Sequence, residues 1–291
     1  HRVRTLDVSA ASGLVLRDGC FYVVADDENA LFVFGADAAA RRIELLPGEL
    51  PVPHAARKAH KPDFEILVDL PDHGVLAMGS GSRASRERAV LVDRHEHTRV
   101  IDTAAVCAVL RETFEPLNLE GAALVGDEFA VLQRGNRSDR RNALIYIATA
   151  DLERALRTQR FTLTCAPRIV DLHLGAHDDV PWTGTDLCAL PGGDLLVSAV
   201  LEDTRDAYHD GRCLGAALVR LAPDGSVGWQ RPLDTAAKVE GVAIDGDNAF
   251  AGRPSQVVTT QPTIPETPTM PTTGAITRKI SRFSGVIAPA L

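Results

Sequence analysis

One short pattern recurs along this chain and limits what it can fold into: a polar or acidic residue, a small residue, then an apolar run. It reads Ala-Ser-Gly-Leu-Val-Leu at Ala11–Leu16 and Pro-Asp-Phe-Glu-Ile-Leu at Pro62–Leu67. It returns as Leu-Asn-Leu-Glu-Gly-Ala-Ala-Leu at Leu117–Leu124, Gly-Thr-Asp-Leu-Cys-Ala-Leu at Gly184–Leu190 and Lys-Val-Glu-Gly-Val-Ala-Ile at Lys238–Ile244. With Ser12, Glu65, Glu120, Asp186 and Glu240 taken as equivalent, the copies lie 53, 55, 66 and 54 residues apart. A unit of that length built from short strands is the signature of a β-propeller blade. The pattern predicts an all-β chain forming a five-bladed β-propeller over residues 1–250, with six blades as the alternative. The alternating stretch Val3–Val8 belongs to no copy and is expected to complete the last blade and close the ring.

Local signals fill in the blades. Asp18-Gly19 predicts a tight hairpin turn, and Asp26–Asn29 a polar turn between the second and third strands of the first blade. Pro51–Lys61 reads as a basic, proline-broken loop. Thr103–Phe114 carries a helical apolar stripe with Asp102 or Thr103 as cap, and Asp151–Thr158 reads as a short helix capped by Asp151. That second insertion explains the longer spacing. After Phe250 the apolar pattern gives way to a Thr- and Pro-rich stretch, so residues 251–291 are expected to form a partly disordered tail or an irregular last blade.

Composition narrows the partners. Thirty-nine acidic against 31 basic residues give a net charge of −8, which disfavours nucleic acid. No apolar run approaches the roughly 20 residues of a membrane span. The cysteines at 20, 107, 165, 188 and 213 fit no disulfide or zinc spacing. Free thiols, with Cys20 and Cys188 buried in strands, point to a reducing compartment. The expectation is a cytoplasmic monomer, with a secreted or periplasmic location as the alternative.

The chemistry follows from the repeat. A residue in one register at the start of every innermost strand faces the central channel, so Glu65, Glu120, Asp186 and Glu240 are expected to form a carboxylate ring with Ser12. Like charges that close cannot all ionise without compensation. A divalent cation, Ca²⁺ or Mg²⁺, could sit among them. Lys61, Arg134 and Lys238 could pair with them. Or each acid could accept backbone N–H groups and fix blade geometry. The loops at the same end carry Arg134, Asn136, Arg137 and His209. Lys61, Arg134, Asn136, Arg137 and Lys238 are the candidate contacts for a small anionic molecule. His209, beside Asp206 and Asp210, and Glu120 are the candidates for acid–base work. Gly79-Ser-Gly-Ser-Arg83 could form an anion-binding nest, and His95 with His97 could reach one metal ion.

The motifs Ser-Gly-Leu at 12–14, Lys-Pro-Asp-Phe-Glu at 61–65, Leu-Glu-Gly at 119–121, Leu-Gln-Arg-Gly-Asn at 132–136 and Val-Glu-Gly-Val-Ala at 239–243 resemble an uncharacterised family of bacterial β-propellers. They are similar to the phytase-like esterases and, more distantly, to gluconolactonase-type calcium propellers. The likeness spans residues 5–246. It implies metal-assisted hydrolysis of a phosphate ester, ester or lactone, with Glu65, Glu120, Asp186 and Glu240 as channel acids and Arg134 as anion contact. The alternative is a non-catalytic propeller that binds a ligand or a protein.

Overall fold

The computed structural model describes residues 2–5, 8, 10–35, 40–135, 139–203, 211–235, 237–245, 248–253 and 256–260. The chain is almost entirely β. Strand β1 (Arg2–Thr5) is followed by a sheet of β2 (Ala11–Arg17), β3 (Cys20–Ala25), β4 (Ala30–Phe34) and β5 (Arg41–Glu44), in that order. Helix α1 (His54–His60) leads into β6 (Phe64–Leu70), β7 (Gly74–Gly79), β8 (Arg88–Asp93) and β9 (Thr98–Asp102). Helix α2 (Ala104–Arg111) precedes β10 (Leu119–Val125), β11 (Glu128–Gln133) and β12 (Asn142–Ala148). Helix α3 (Thr149–Thr158) comes before the sheet's outer strand β13 (Arg168–Leu172). The fourth sheet holds β14 (Ala176–His177), β15 (Val180–Ala189), β16 (Leu195–Asp203), β17 (Arg212–Leu221) and β18 (Val227–Leu233). The last runs β19 (Gly241–Asp245), β20 (Asn248–Arg253), β21 (Gln256–Thr260) and then β1, whose Val3 pairs with Val258.

The arrangement is propeller-like. Strands β2, β6, β10, β15 and β19 pack each against the next, and β19 packs against β2. Between neighbouring sheets lie separate apolar clusters. Val24, Leu31 and Phe64 fill the first gap, Ile66, Leu119 and Phe129 the second, and Leu132, Leu187 and Val197 the third. Leu196, Val200 and Val242 fill the fourth, and Leu14, Val23 and Phe250 the fifth. Alternating side chains on each strand serve opposite gaps, as Ile66 in the second gap and Leu67 in the first show.

The glycine of the repeat has a packing reason. A Cβ on Gly13 would lie 2.9 Å from Leu67 Cβ, and one on Gly241 would lie 2.8 Å from Leu14 Cβ. On Gly121 it would lie 2.6 Å from the Leu187 nitrogen. Each glycine lets the next sheet's first strand come close. The hairpin turn at Asp18-Gly19 has positive φ at both residues, 51° and 72°, the geometry that suits a two-residue connection.

Four expectations shift. Pro51–Lys61 is not all loop: His54–His60 is helical, starting after Pro53, with Arg57, Lys58 and His60 in its last turn, where cations suit the helix dipole. Helix α3 starts at Thr149, and Asp151 accepts from the Thr164 nitrogen (2.9 Å) and hydroxyl (2.7 Å) instead of capping. Strand pairing continues past residue 250 to Thr260, since β20 and β21 form a regular antiparallel pair. Residues 261–291 lie outside the described residues. Cys20 and Cys188 are half-buried, and all five cysteines are free thiols.

Candidate functional site: a mouth of paired charges

Strands β2, β6, β10, β15 and β19 lie side by side, and four of the five carry a bulge in their pairing with the next strand. The pairing of β2 with β3 skips Ser12, β6 with β7 skips Glu65, β10 with β11 skips Glu120, and β15 with β16 skips Thr185. Glu240 directly precedes β19. The equivalent set is therefore Ser12, Glu65, Glu120, Thr185 and Glu240. Asp186 occupies the position of Gly13, Ile66, Gly121 and Gly241. One residue of offset in a strand changes the direction of the side chain, and matching acid to acid in the sequence hid this.

The consequence for Asp186 is plain. It is buried, and its carboxylate accepts from the Leu187 nitrogen and, across the gap, from the Val242 nitrogen, both at 2.8 Å. It also lies where a Cβ on Gly121 would intrude, 2.8 Å from Oδ1. Burial raises its pKa well above the usual range against the pull of those N–H groups. Asp186 fastens sheets together, and although the charge of Glu120 reaches it, its carboxylate is spent on backbone N–H groups. Thr185 stands in the ring position with its hydroxyl donating to the Val239 carbonyl at 2.6 Å.

The remaining acids fall into two arcs. In the first, Lys61 bridges Asp26 and Asp63, reaching Asp63 Oδ1 at 2.9 Å. Asp63 Oδ2 receives buried Arg86 at 2.7 Å and the Ser80 hydroxyl at 2.6 Å. The Gly79–Arg83 loop thus holds Asp63 and is not an open nest; Ser82 Oγ accepts from Arg86 at 2.8 Å. Burial opposes the charge on Lys61, but Asp63, Asp26 and Glu65 outweigh it and raise its pKa.

In the second arc, Arg134 pairs with Glu120 at 3.2 Å and with Glu202. Lys238 lies 2.6 Å from Glu240 and 3.7 Å from Glu202. Asn118 donates to Glu120 at 2.6 Å. Burial raises the Glu120 pKa, with Arg134 and Lys238 holding it down. Burial works against the Arg134 charge too, yet Glu120, Glu202 and Glu240 raise its pKa. Lys61, Arg134 and Lys238, expected as ligand contacts, are therefore each engaged with carboxylates of the chain. The sequence puts Glu202 in a loop at this end and Arg86 beside the Gly79–Arg83 loop; what it does not show is that Glu202 pairs with Arg134 and Arg86 with Asp63.

Glu65 stands apart. It is half-buried and makes no hydrogen bond among the described residues. Desolvation leads its shift, followed by the charges of Glu120, Asp63, Asp26 and Glu240, and together they push its pKa well above 4.5. Across the mouth, Asp26, Asp63, Glu65, Glu120, Glu202 and Glu240 face Lys61, Arg86, Arg134 and Lys238: six acids to four bases among the described residues. Asp26, Asp63 and Glu65 also form a group whose ligand atoms lie within 4.8 Å of one another, a set that could hold a metal ion. His95 and His97 sit in the exposed β8–β9 turn with ring centroids 6.1 Å apart, and they belong to no such group. Asn136, Arg137 and His209 lie outside the described residues.

Fold and mouth define a propeller-like β protein with a charged axial end. The chain belongs to a family of unknown function, DUF6929, whose model matches residues 7–254. No curated protein matches the sequence. Among solved structures it is similar to the glutaminyl cyclase of Myxococcus xanthus, at 11% identity and a TM-score of 0.52, over 89% of this chain and 93% of that one. It is also similar to virginiamycin B lyase from Staphylococcus aureus, at 9% identity and a TM-score of 0.43, over 88% of this chain and 97% of that one. A luciferin-regenerating enzyme aligns at 12% identity with a TM-score of 0.45, over 85% of this chain and 70% of that one. At these identities the likeness concerns the fold alone. No helix among the described residues is long and apolar enough to cross a membrane.

Proposed function

We propose that this chain is a five-bladed β-propeller, closed by β1, whose axial mouth binds a divalent cation and a small anionic substrate, as a hydrolase of a phosphate ester, ester or lactone. The blade count is supported by the five sheets and by the contact of β19 with β2. The observation that carries the cation is Glu65, which accepts no hydrogen bond among the described residues and is held against ionisation by burial and by Glu120, Asp63, Asp26 and Glu240, while neighbouring Lys61 is bonded to Asp26 and Asp63. A carboxylate so placed takes a positive charge from outside, as a proton or a metal ion. The hard oxygens of Asp26, Asp63 and Glu65 suit Ca²⁺ or Mg²⁺. In the turn after Asp26, Asp27 Oδ1 and Asn29 Oδ1 are buried and accept no hydrogen bond among the described residues.

A bound cation would polarise a phosphoryl or carbonyl oxygen and lower the pKa of a bound water. The chain's own residues set the surroundings. Arg134 and Lys238 hold Glu120, Glu202 and Glu240 in place, and the raised pKa of Glu120 suits it to carry a proton. Asn136 and Arg137 are proposed as anion contacts, and His209 as the acid–base group. In this reading the protein is a cytoplasmic monomer that engages neither nucleic acid nor membrane.

A specific observation favours a second reading. Lys61 already bridges two of the three carboxylates, so its ammonium can serve as a built-in cation in a non-catalytic, ligand-binding propeller. Thermal unfolding during Ca²⁺ and Mg²⁺ titration separates them. The metal reading expects saturable stabilisation that Glu65→Gln abolishes and Lys61→Met strengthens. If neither ion stabilises the wild type or Lys61→Met, the metal and its hydrolysis go. A panel of phosphate esters and lactones, assayed with and without the effective ion, then tests catalysis itself.

A further inference from the structure

A second concavity lies at the opposite end of the first two sheets, between their turns. The mouth is built where β2 and β6 begin; this cleft is built where they end, so the antiparallel strands separate the two sites by their full length. The cleft has a volume of about 550 Å³, within the range of about 300–1,000 Å³ typical of small-molecule sites. Its walls carry Arg17, Asp18, Tyr22, Asp69, Arg94 and Glu96, and Val75 and Val92 lie beneath them.

Most of these charges are already placed by the chain. Arg17 is pinned by Asp69 at 2.6 Å and by the Gly74 carbonyl at 2.9 Å. Glu96 pairs with Arg41 across the two sheets. Two donors keep capacity: Arg94 gives one hydrogen bond to the Pro71 carbonyl, and the Tyr22 hydroxyl has no hydrogen-bond partner among the described residues. Acceptor capacity also remains, on Asp18, whose side chain is 88% exposed and 3.7 Å from Arg17, and on the second oxygen of Asp69.

A ligand of one charge sign would find an opposing wall of the same sign. A neutral ligand whose groups both donate and accept meets every wall, and a hydroxyl does both. Tyr22 adds an aromatic ring, an apolar surface with a polar tip. We propose that this cleft binds a neutral saccharide of one or two rings, with sugar hydroxyls donating to Asp18 and Asp69 and accepting from Arg94 and the Tyr22 hydroxyl. The site is independent of the mouth and of any activity there.

The test is saturation-transfer NMR and calorimetry on the full chain with maltose, lactose and cellobiose as probes. The expected result is transfer to the ring protons of at least one, with Tyr22→Phe and Arg94→Gln each weakening it about fivefold, the scale of one hydrogen bond. Asp18→Asn, on a side chain 88% exposed whose ion pair with Arg17 is long at 3.7 Å, should weaken it without touching the fold, and Glu65→Gln should leave it unchanged. Circular dichroism checks each variant. The proposal is overturned if no neutral sugar shows transfer, if transfer survives the Tyr22 and Arg94 changes together, or if only the charged sugars glucuronate or glucosamine bind.

Discussion

Replacing Arg134 by Met tests whether the mouth is held by buried ion pairs. The side chain is 10% exposed and faces Glu120 and Glu202, exposed at 6% and 3%. Met keeps much of the volume and removes the charge, so both carboxylates lose their nearest cation. Breaking a buried pair by removing one partner costs about 3–5 kcal/mol. Lys238 lies 3.7 Å from Glu202 and also lowers the Glu120 pKa, so it offsets part of the loss and the lower end is expected. At about 2–4 °C per kcal/mol for a domain of this size, Tm should fall by about 6–12 °C. The loss should be pH-dependent. Arg134 holds down an already raised Glu120 pKa, so without it Glu120 stays protonated to higher pH and the buried charge is avoided in acid. The Tm gap between wild type and variant should therefore be wide at pH 8 and narrow at pH 5, read by differential scanning fluorimetry or calorimetry. A gap under about 2 °C, or one equal at both pH values, would refute the claim that Arg134 is a structural counter-ion. It would return Arg134 to the role of free anion contact.

Glu65 titrates in the opposite sense to a salt-bridged acid. Its folded pKa is raised, so its contribution to stability is full below 4.5 and is lost as pH climbs through the folded value. Glu65→Gln should flatten that decline in a pH series of melting curves; an unchanged slope removes Glu65 as its source. Cation binding needs the ionised carboxylate, so Ca²⁺ stabilisation should grow with pH and release a proton measurable in buffers of different ionisation enthalpy. Gly121→Ala should cost roughly 1–3 kcal/mol, because its Cβ meets backbone atoms of Leu187 and Asp186 under 3 Å away. Gly228→Ala, with its nearest contact at 3.6 Å, should be neutral or mildly stabilising; equal melting temperatures for the two would remove the close-approach argument.

Much of the fold was legible because the repeat combines two physical demands at one place. The glycine after Ser12, Glu120 and Glu240 is needed for sheet-to-sheet approach, and the apolar run after it fills the gaps, so both leave a mark in the sequence. Where a sheet meets the demand differently, the mark misleads. Ile66 fills the glycine position from one side, and Asp186 fills it with a carboxylate that bonds the next sheet's backbone. The sequence therefore offered Asp186 as a ring acid when Thr185 holds that place. The charge pairs were legible in part: Arg134 and Lys238 were candidates to pair with the repeat's acids and do so with Glu120 and Glu240, but the pair with Glu202 left no mark. Arg134 and Glu202 are 68 residues apart, and only the closing of the sheets brings them together. The prolines after Arg253 suggested an ending, but Gln256–Thr260, without a proline, pairs along β20 and β1.

The uneven occupation of the five equivalent positions matters more for function than the ring itself. Five glutamates would need five counter-ions, and a ligand would meet a uniform rim. Here Ser12 and Thr185 are uncharged, and Glu120 and Glu240 are each matched by a base. The fourth sheet supplies its charge from Glu202, at the far end of its second strand, where it is shared between Arg134 and Lys238. Negative potential is thereby cancelled on one side of the mouth and concentrated at Glu65 on the other. Lys61 lies beside it but is bonded to Asp26 and Asp63, so it offsets only part of the negative potential at Glu65 and does not bond it. A propeller that needed its acids only for geometry would bury each against backbone N–H groups, as it does with Asp186. Glu65, with no donor among the described residues and four other acids near it, carries an electrostatic cost that Asp186 avoids, and that cost is what an incoming positive charge would relieve.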